Sequence, residues 1–243
     1  MRLYYYTAKQ WGMKSLWEKR LKIAEYADLN DPFELLPFRQ TDKEARAHIK
    51  TVVKILSNGH GVLCFSESWR STLMWAHYGD KHKGLCLGFE IEDGSHLTKI
   101  DYVSKRLPSR IDFSKPPLRG IDEEMLSLCL NVKHSGWKYE KEHRLRVSLD
   151  DHRDGIYYCS FNSIMELREV IIGARSSLSI VDVAEAVGTQ PESDVEVWTA
   201  RAAHGTFNMC MNLELPKQVI VGLDPTMKKQ RKLAEILRQD VKK

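Results

Sequence analysis

The sequence predicts an α+β fold, a mixed or mostly antiparallel sheet core with peripheral helices. Three observations carry this expectation. Short apolar or alternating stretches bounded by Gly, Pro, Asn and Asp recur along the chain, as strands do. Only a few segments have helical spacing, and they carry their own start and stop residues. No low-complexity tract or linker interrupts the 243 residues. They read as one domain, with a site-bearing core over 1–165 and a strand–helix extension over 166–243 packed on it.

Leu3 to Thr7 reads as an aromatic strand. Gln10 to Glu25 has helical or mixed character, with Met13, Leu16, Trp17 and Leu21 in a partial stripe, while Ile23 and Tyr26 also fit a short strand. Asn30-Asp31-Pro32-Phe33-Glu34 is turn chemistry, because Asn and Asp bond to nearby backbone and Pro fixes φ. Thr41 to Ser57 is the clearest helix. Thr41-Asp42-Lys43-Glu44 has the capping-box pattern, Ala45, Ile49, Val52, Val53 and Leu56 share a face, and Asn58-Gly59 stops it. Gly61 to Phe65 is a strand ending in Ser66-Glu67-Ser68, and Ser71 caps a short helix through Tyr78. Gly84 to Glu90 and Ile100 to Val103 are further strands.

Ser104 to Gly120, with Pro108, Pro116, Pro117 and five basic residues, reads as a loop. Ile121 to His134 is expected to be a helix, with Asp122, Glu123 and Glu124 at its favoured end and Gly136 stopping it. His143 to Leu149 alternates as a half-buried strand, and Ile156 to Phe161 is its expected hairpin partner across Asp154-Gly155. Two strand–Gly–loop–helix units close the chain: Val170 to Gly173 with Ile180 to Val187, and Val219 to Gly222 with Met227 to about Asp240. Strands at Val195 to Trp198 and Phe207 to Leu213 lie between them.

Composition bounds the function. Hydrophobic residues are 42% and charged residues 29%, which excludes disorder and fibrous repeats. No apolar run approaches the ~20 residues that cross a bilayer, and the first residues lack the roughly 7–15-residue apolar stretch of a signal peptide. A cytoplasmic protein without membrane contact is expected. Five cysteines, widely spaced and without a C-x-x-C pair, argue against a disulfide framework or zinc ribbon. His77 and His82 lack an evident third ligand, so no metal site is expected. The net charge of +4 is concentrated in Lys217 to Lys243, where eight Lys/Arg meet three Asp/Glu. A helix with a solvated lysine face explains that tail more simply than general nucleic-acid binding. P-loop, dinucleotide-fold, zincin and nucleophile-elbow motifs are all missing.

Three constellations could carry chemistry. In Phe65-Ser66-Glu67-Ser68 followed by Met74-Trp75-Ala76-His77-Tyr78, Trp75 and Tyr78 could stack on a planar ring while Ser66 and His77 hydrogen-bond it. The same residues also fit a core-packed aromatic face with His77 as a satisfied core histidine. In Trp137-Lys138-Tyr139-Glu140-Lys141-Glu142-His143-Arg144, a strand would place Glu140, Glu142 and Arg144 on one face, either as a site or as a solvated ion-paired face. Asn30-Asp31-Pro32-Phe33-Glu34 could present an amide and a carboxylate to a nucleotide, or be an Asx-turn anchored by Phe33.

Together these motifs, with Leu3-Tyr4-Tyr5-Tyr6, Lys83-Gly84-Leu85-Cys86-Leu87-Gly88-Phe89-Glu90 and Val170-Ile171-Ile172-Gly173, resemble an uncharacterised, mostly bacterial family catalogued only as a domain of unknown function. That resemblance implies an effector in mobile elements or near phage-defence genes. A second resemblance is to the ADP-ribosyltransferase fold, with Tyr5 or Arg2 on the first strand, Ser66 in the middle motif and Glu142 in an E-x-E. It implies NAD as substrate, Glu142 steadying a cationic ribose, Tyr5 or Tyr78 stacking nicotinamide, and Arg144 or Arg2 reaching a pyrophosphate.

The resulting expectation is a NAD-using, ADP-ribosyltransferase-like effector acting on a protein or nucleic-acid target. Its catalytic residues would be Glu142, Glu140 and His77. Its cofactor-binding residues would be Tyr5, Ser66, Trp75, Tyr78, Asn30 and Arg144. Two alternatives stand beside it. One is a non-catalytic nucleotide or nucleic-acid binding module whose basic 104–120 loop holds phosphates. The other is a nuclease using Asp31, Glu34, Glu140 and Glu142 around Mg²⁺.

Overall fold

Aromatic and β-branched residues at alternating positions begin the chain, and Arg2–Thr7 accordingly forms strand β1. The computed structural model describes residues 1–222 except 40–42, 58, 93–96, 109–111, 113–114, 117–118, 151, 154, 162–163, 189–190 and 192. In chain order there follow α1 (Lys9–Glu18), β2 (Arg20–Lys22), α2 (Lys43–Leu56), β3 (His60–Ser66), α3 (Thr72–His77), β4 (Leu85–Ile91), β5 (Leu97–Lys99) and β6 (Asp101–Val103). Then come α4 (Glu123–Asn131), β7 (Val132–His134), a 3₁₀ turn (Ser135–Glu140), β8 (Glu142–Ser148), β9 (His152–Arg153), β10 (Ile156–Ser160) and β11 (Met165–Ile172). The last are α5 (Ile180–Val187), β12 (Val195–Ala202), β13 (Met209–Met211) and β14 (Gln218–Ile220). The architecture is α+β with mostly antiparallel pairing, as expected. Thr41, Asp42 and Asn58, the cap and stop of the second helix, and the Met227–Asp240 helix lie outside the described residues.

The chain divides into two compact units built from discontinuous segments. Unit 1 comprises Met1–Lys19, Trp69–Glu92 and the chain from Ser160 on; unit 2 comprises Arg20–Ser68 and Asp93–Cys159.

In unit 1, β4 takes β1 on one edge, with Leu3 opposite Phe89 and Tyr5 opposite Leu87, and β11 on the other. Both pairings are antiparallel. β11 pairs in parallel with β12, whose far edge receives β13 and β14. Leu3, Leu85, Leu87, Phe89, Ile171 and Val197 are buried completely. A capping box between Ser179 and Asp182 starts α5, and the Lys19 ammonium donates to the carbonyls of Ala186 and Val187 at its end, where a cation is favoured. Ser71 starts α3 as expected, accepting from the Met74 amide. Beyond α3, Asp80, Lys81 and His82 adopt φ of 49, 54 and 70° in succession. Such left-handed residues cost on the order of 1 kcal/mol each. The Gly79 and Trp75 carbonyls, accepting from the Gly84 and His82 amides, hold them in place.

In unit 2, β8 has both edges occupied, by β3 and by β5, in antiparallel register. The expected β8–β10 hairpin therefore does not form; β10 pairs with β9 and β2 instead. The expected helix through His134 also stops early. α4 ends at Asn131, and Val132–His134 becomes β7, paired in parallel with β6. Phe38, Ile49, Val52, Met125 and Cys129 form one apolar cluster, and Tyr26, Leu35, Val62 and Leu130 a second. No helix among the described residues is long and apolar enough to cross a membrane.

Candidate functional site: a buried charge network beside a cationic pocket

Unit 2 brings the Asn30–Glu34 turn, β7 and the start of β8 together. The turn is an Asx-turn: the Phe33 amide donates to Asp31 Oδ1 at 2.9 Å, and Asp31 is buried. Leu35 follows in the left-handed region at φ 60° and is itself buried. Its core packing holds a conformation that a side chain resists, and the reversal leaves Phe33 outside while Glu34 enters the protein. A second left-handed residue, Lys141 at φ 47°, separates the 3₁₀ turn from β8. Trp137 to Glu140 is thus a turn, not the strand expected from its alternation. Glu142 and Arg144 do share a strand face, and Glu140 reaches the same place from the turn.

The result is five charged side chains, each at most 6% exposed where they pair. The Lys133 ammonium lies 2.8 Å from Glu140 Oε2, 3.1 Å from Glu142 Oε2 and 3.5 Å from Glu34 Oε1. Arg144 donates from Nε to Glu142 Oε1 at 2.7 Å, from Nη2 to Glu34 Oε1 at 2.6 Å, and from Nη1 to the Leu130 carbonyl at 3.3 Å. The Glu142 amide donates to the Tyr102 hydroxyl. Three carboxylates face two cations, so the network holds a formal surplus of one negative charge. Glu34 Oε2 is buried without a hydrogen-bond partner among the described residues.

Electrostatics fix the protonation states. Burial alone would raise the Glu142 carboxyl, but Arg144 and Lys133 outweigh it and hold the group down at about 2. Burial would lower Lys133, yet the three carboxylates keep it above its ordinary value. The Cys64 thiol is pushed well up by burial and then by Glu142, to which it donates, so it stays protonated and unreactive. Tyr102 rises to about 12 through burial. None of these four groups exchanges a proton near neutral pH. The cluster is a charge clamp. The nuclease alternative finds Glu34, Glu140 and Glu142 together but around the Lys133 ammonium, and among the described residues no group of three or more His, Cys, Asp or Glu could hold a metal ion.

The other expected site residues divide between the units. In unit 2, Ser66 is a buried structural group whose hydroxyl donates to the Glu140 carbonyl at 2.6 Å and accepts from the Ser68 amide, so it is not displayed for a ligand. Arg144 is 2% exposed, with its guanidinium spent on Glu142, Glu34 and Leu130; it does not reach outward for a pyrophosphate. Asn30 is exposed. In unit 1, Trp75 is wholly buried, donating to the Trp69 carbonyl and meeting the Tyr6 ring edge-on. It is a core side chain and cannot stack on a ligand. His77 is exposed and so is not the satisfied core histidine of a packed aromatic face; its ring lies 6.3 Å from that of Tyr78. Tyr5 and Tyr78 are half-buried.

Phe33, expected as the anchor of the Asx-turn but exposed, and His134, which belongs to no expected site, flank the network in sequence. Phe33 precedes Glu34, and His134 follows Lys133. Both line a cavity of about 230 Å³ with Leu36, Pro37, Val103, Ser104, Lys105 and Arg106. Phe33 is 54% exposed, and the Arg106 guanidinium lies 5.0 Å from its ring centre. His134 Nδ1 accepts from the Gly136 amide, which leaves the ring proton on Nε2 as a donor. Every charged or titratable wall residue is a base.

With that geometry in hand, comparison with known proteins adds a family likeness. Residues 74–145 match a family described as a protein of unknown function (DUF2971). This supports the expected resemblance to an uncharacterised family. The matched stretch opens at Met74-Trp75-Ala76-His77-Tyr78 and closes within Glu142-His143-Arg144-Leu145, so it includes Lys133 and three of the cavity's cationic or histidine residues. No curated protein and no solved structure matches the chain.

Proposed function

We propose that unit 2 is a nucleotide-binding module whose ligand lies on Phe33 with its phosphate toward Lys105, Arg106 and His134. One observation carries the reading: an exposed aromatic ring stands in an apolar-floored cavity whose charged wall residues are all cationic. A ring with an anion attached is the chemistry that such a wall complements. The buried network serves it as a scaffold. Glu34 ties the loop carrying Phe33 to β8, and Lys133 ties the strand carrying His134 to the same place.

The likeness of Phe65-Ser66-Glu67-Ser68 and Glu140-Lys141-Glu142 to ADP-ribosyltransferase motifs makes NAD and ADP-ribose the first ligands to try. Transfer from NAD would extend the reading only if Glu142, ionised as a carboxylate that steadies a sugar cation must be, gave up Arg144 and Lys133, which hold both its oxygens. Calorimetric titration with ATP, ADP-ribose and NAD is expected to give binding that Phe33→Ala and Arg106→Ala each weaken about tenfold, the scale of one stacking or charged contact. Absence of binding by all three ligands overturns the proposal. Release of labelled nicotinamide by the wild type, abolished in a Glu142→Gln protein that still binds nucleotide, would establish the reaction as well as the binding.

A further inference from the structure

Resting on the nucleotide-binding reading, we infer that the ligand is a single-stranded nucleic acid, with one base of the strand in the Phe33 cavity and its neighbouring phosphates outside. Size is the first argument. About 230 Å³ falls below the roughly 300–1,000 Å³ of sites that enclose a whole small molecule. The cavity holds one ring and little more.

The second argument is the surface that continues from it. The chain beyond Phe33 runs alongside the chain beyond β6. Phe38 bridges Leu107 in parallel, the Arg39 amide donates to the Leu107 carbonyl at 2.9 Å, and the Leu107 amide donates to the Pro37 carbonyl at 2.8 Å. Arg39, Lys105 and Arg106 are exposed on these two paired segments. The acidic residues there, Asp31 and Glu34, are turned inward to the Asx-turn and the network. Among the described residues of segments 34–39 and 104–107 the outward charge is therefore positive, with exposed Asp101 on β6 standing just before the second segment. An aromatic platform next to a cationic track is how proteins hold single strands without reading sequence, because every base offers a face and every nucleotide a phosphate.

Arg39 separates this inference from the reading beneath it, since it lies on the track but does not line the cavity. Fluorescence polarisation of the full chain with a labelled oligothymidylate of about 12 nucleotides is compared with calorimetry of thymidine monophosphate. The oligomer is expected to bind at least about tenfold more tightly. Its affinity should fall with salt at a log–log slope near −2, as about three neutralised phosphates require. Arg39→Ala should weaken the oligomer several-fold and reduce that slope by about 0.7, with monophosphate affinity unchanged. Phe33→Ala should weaken both. Equal affinity for monomer and oligomer overturns the inference and leaves the nucleotide pocket standing. Oligomer binding indifferent to Phe33→Ala overturns it too, since only loose charge attraction would remain. Binding of neither probe overturns the inference, and the nucleotide pocket falls with it when ATP, ADP-ribose and NAD also fail to bind.

Discussion

Two buried glutamates, one in each unit, respond to burial in opposite ways. Glu142 in unit 2 is 4% exposed and Glu169 in unit 1 is 9% exposed. Each sits on a strand, and each has its charge penalised by desolvation. Glu142 meets an arginine and a lysine at 2.7 and 3.1 Å, and its carboxyl is held down at about 2. Glu169 accepts from the Trp198 indole at 3.0 Å and lies beside the Tyr4 hydroxyl, and burial raises its carboxyl. A neutral donor offsets little of the cost of a buried carboxylate's charge, whereas cations offset much of it, and Glu169 Oε2 is left buried without a hydrogen-bond partner among the described residues. Burial alone therefore does not tell which buried acid is ionised. The partners decide.

The largest test removes a cation from the ionised site. Arg144→Met leaves Glu34 and Glu142 buried against Lys133 alone, with three carboxylates on one ammonium. Removing one member of a buried pair costs about 3–5 kcal/mol, so denaturant unfolding should show a loss of that order. Nucleotide affinity should fall with it, because the Phe33 loop loses its anchor. Arg144→Lys restores the charge but not the fork that spans both acids, and it should recover only part of the loss. An Arg144→Met protein as stable as the wild type would mean that the network contributes nothing to folding.

The next effect is read by acid. The Glu142 carboxyl has a lower pKa folded, about 2, than the ~4.3 of an unfolded glutamate. Its contribution is therefore complete above about pH 4.3 and is lost as pH falls through 2. The loss should be on the order of a few kcal/mol. Stability measured from pH 5 to 2 should decline accordingly, and Glu142→Gln should flatten that decline while lowering the plateau above it. Equal slopes for the two proteins would locate the acid sensitivity elsewhere.

Part of this site is legible in the sequence. Asn30-Asp31-Pro32-Phe33-Glu34 reads as an Asx-turn and is one, and alternation places Glu142 with Arg144. Lys133 is not legible. Apolar residues at Met125, Leu128 and Val132 fit helical spacing closely enough to carry the expected α4 through His134, whereas the chain leaves the helix at Val132 to pair with β6. The β8–β10 hairpin misleads for a similar reason. Asp154-Gly155 advertises a local turn, and Arg153 does pair antiparallel with Ile156 across it, but β3 and β5, distant in sequence, take both edges of β8 and leave β10 the short β9. Trp75 shows the limit of residue type as a guide: α3 turns Met74 and Trp75 inward and Ala76 and His77 outward, and a two-turn helix is too short for its periodicity to reveal which. Pairing partners and inward faces are fixed by contacts across the chain, and those carry no local signature.

The smallest effect sharpens the comparison from the neutral side. Gly88 leaves room for Glu169 across the β4–β11 pair, where an added Cβ would lie 3.1 Å from its Oε2, so the carboxyl is enclosed by design of the backbone and not by ion pairing. Its pKa is raised in the folded protein, which means that the folded state holds the proton more firmly than the unfolded chain. The stabilisation from that proton is complete below about pH 4.3 and disappears as pH rises through the folded value. At pH 7 the wild type must therefore either bury a charge or hold a proton against the solvent. Glu169→Gln keeps an oxygen to accept from Trp198 and has no charge to bury. It should match the wild type near pH 4 and exceed it at pH 7 by up to about 1 kcal/mol, the scale of one hydrogen-bonding group. The same substitution at Glu142 should destabilise at pH 7. If both changes destabilise there, the two carboxyls differ only in degree, and the opposition drawn from their partners is wrong.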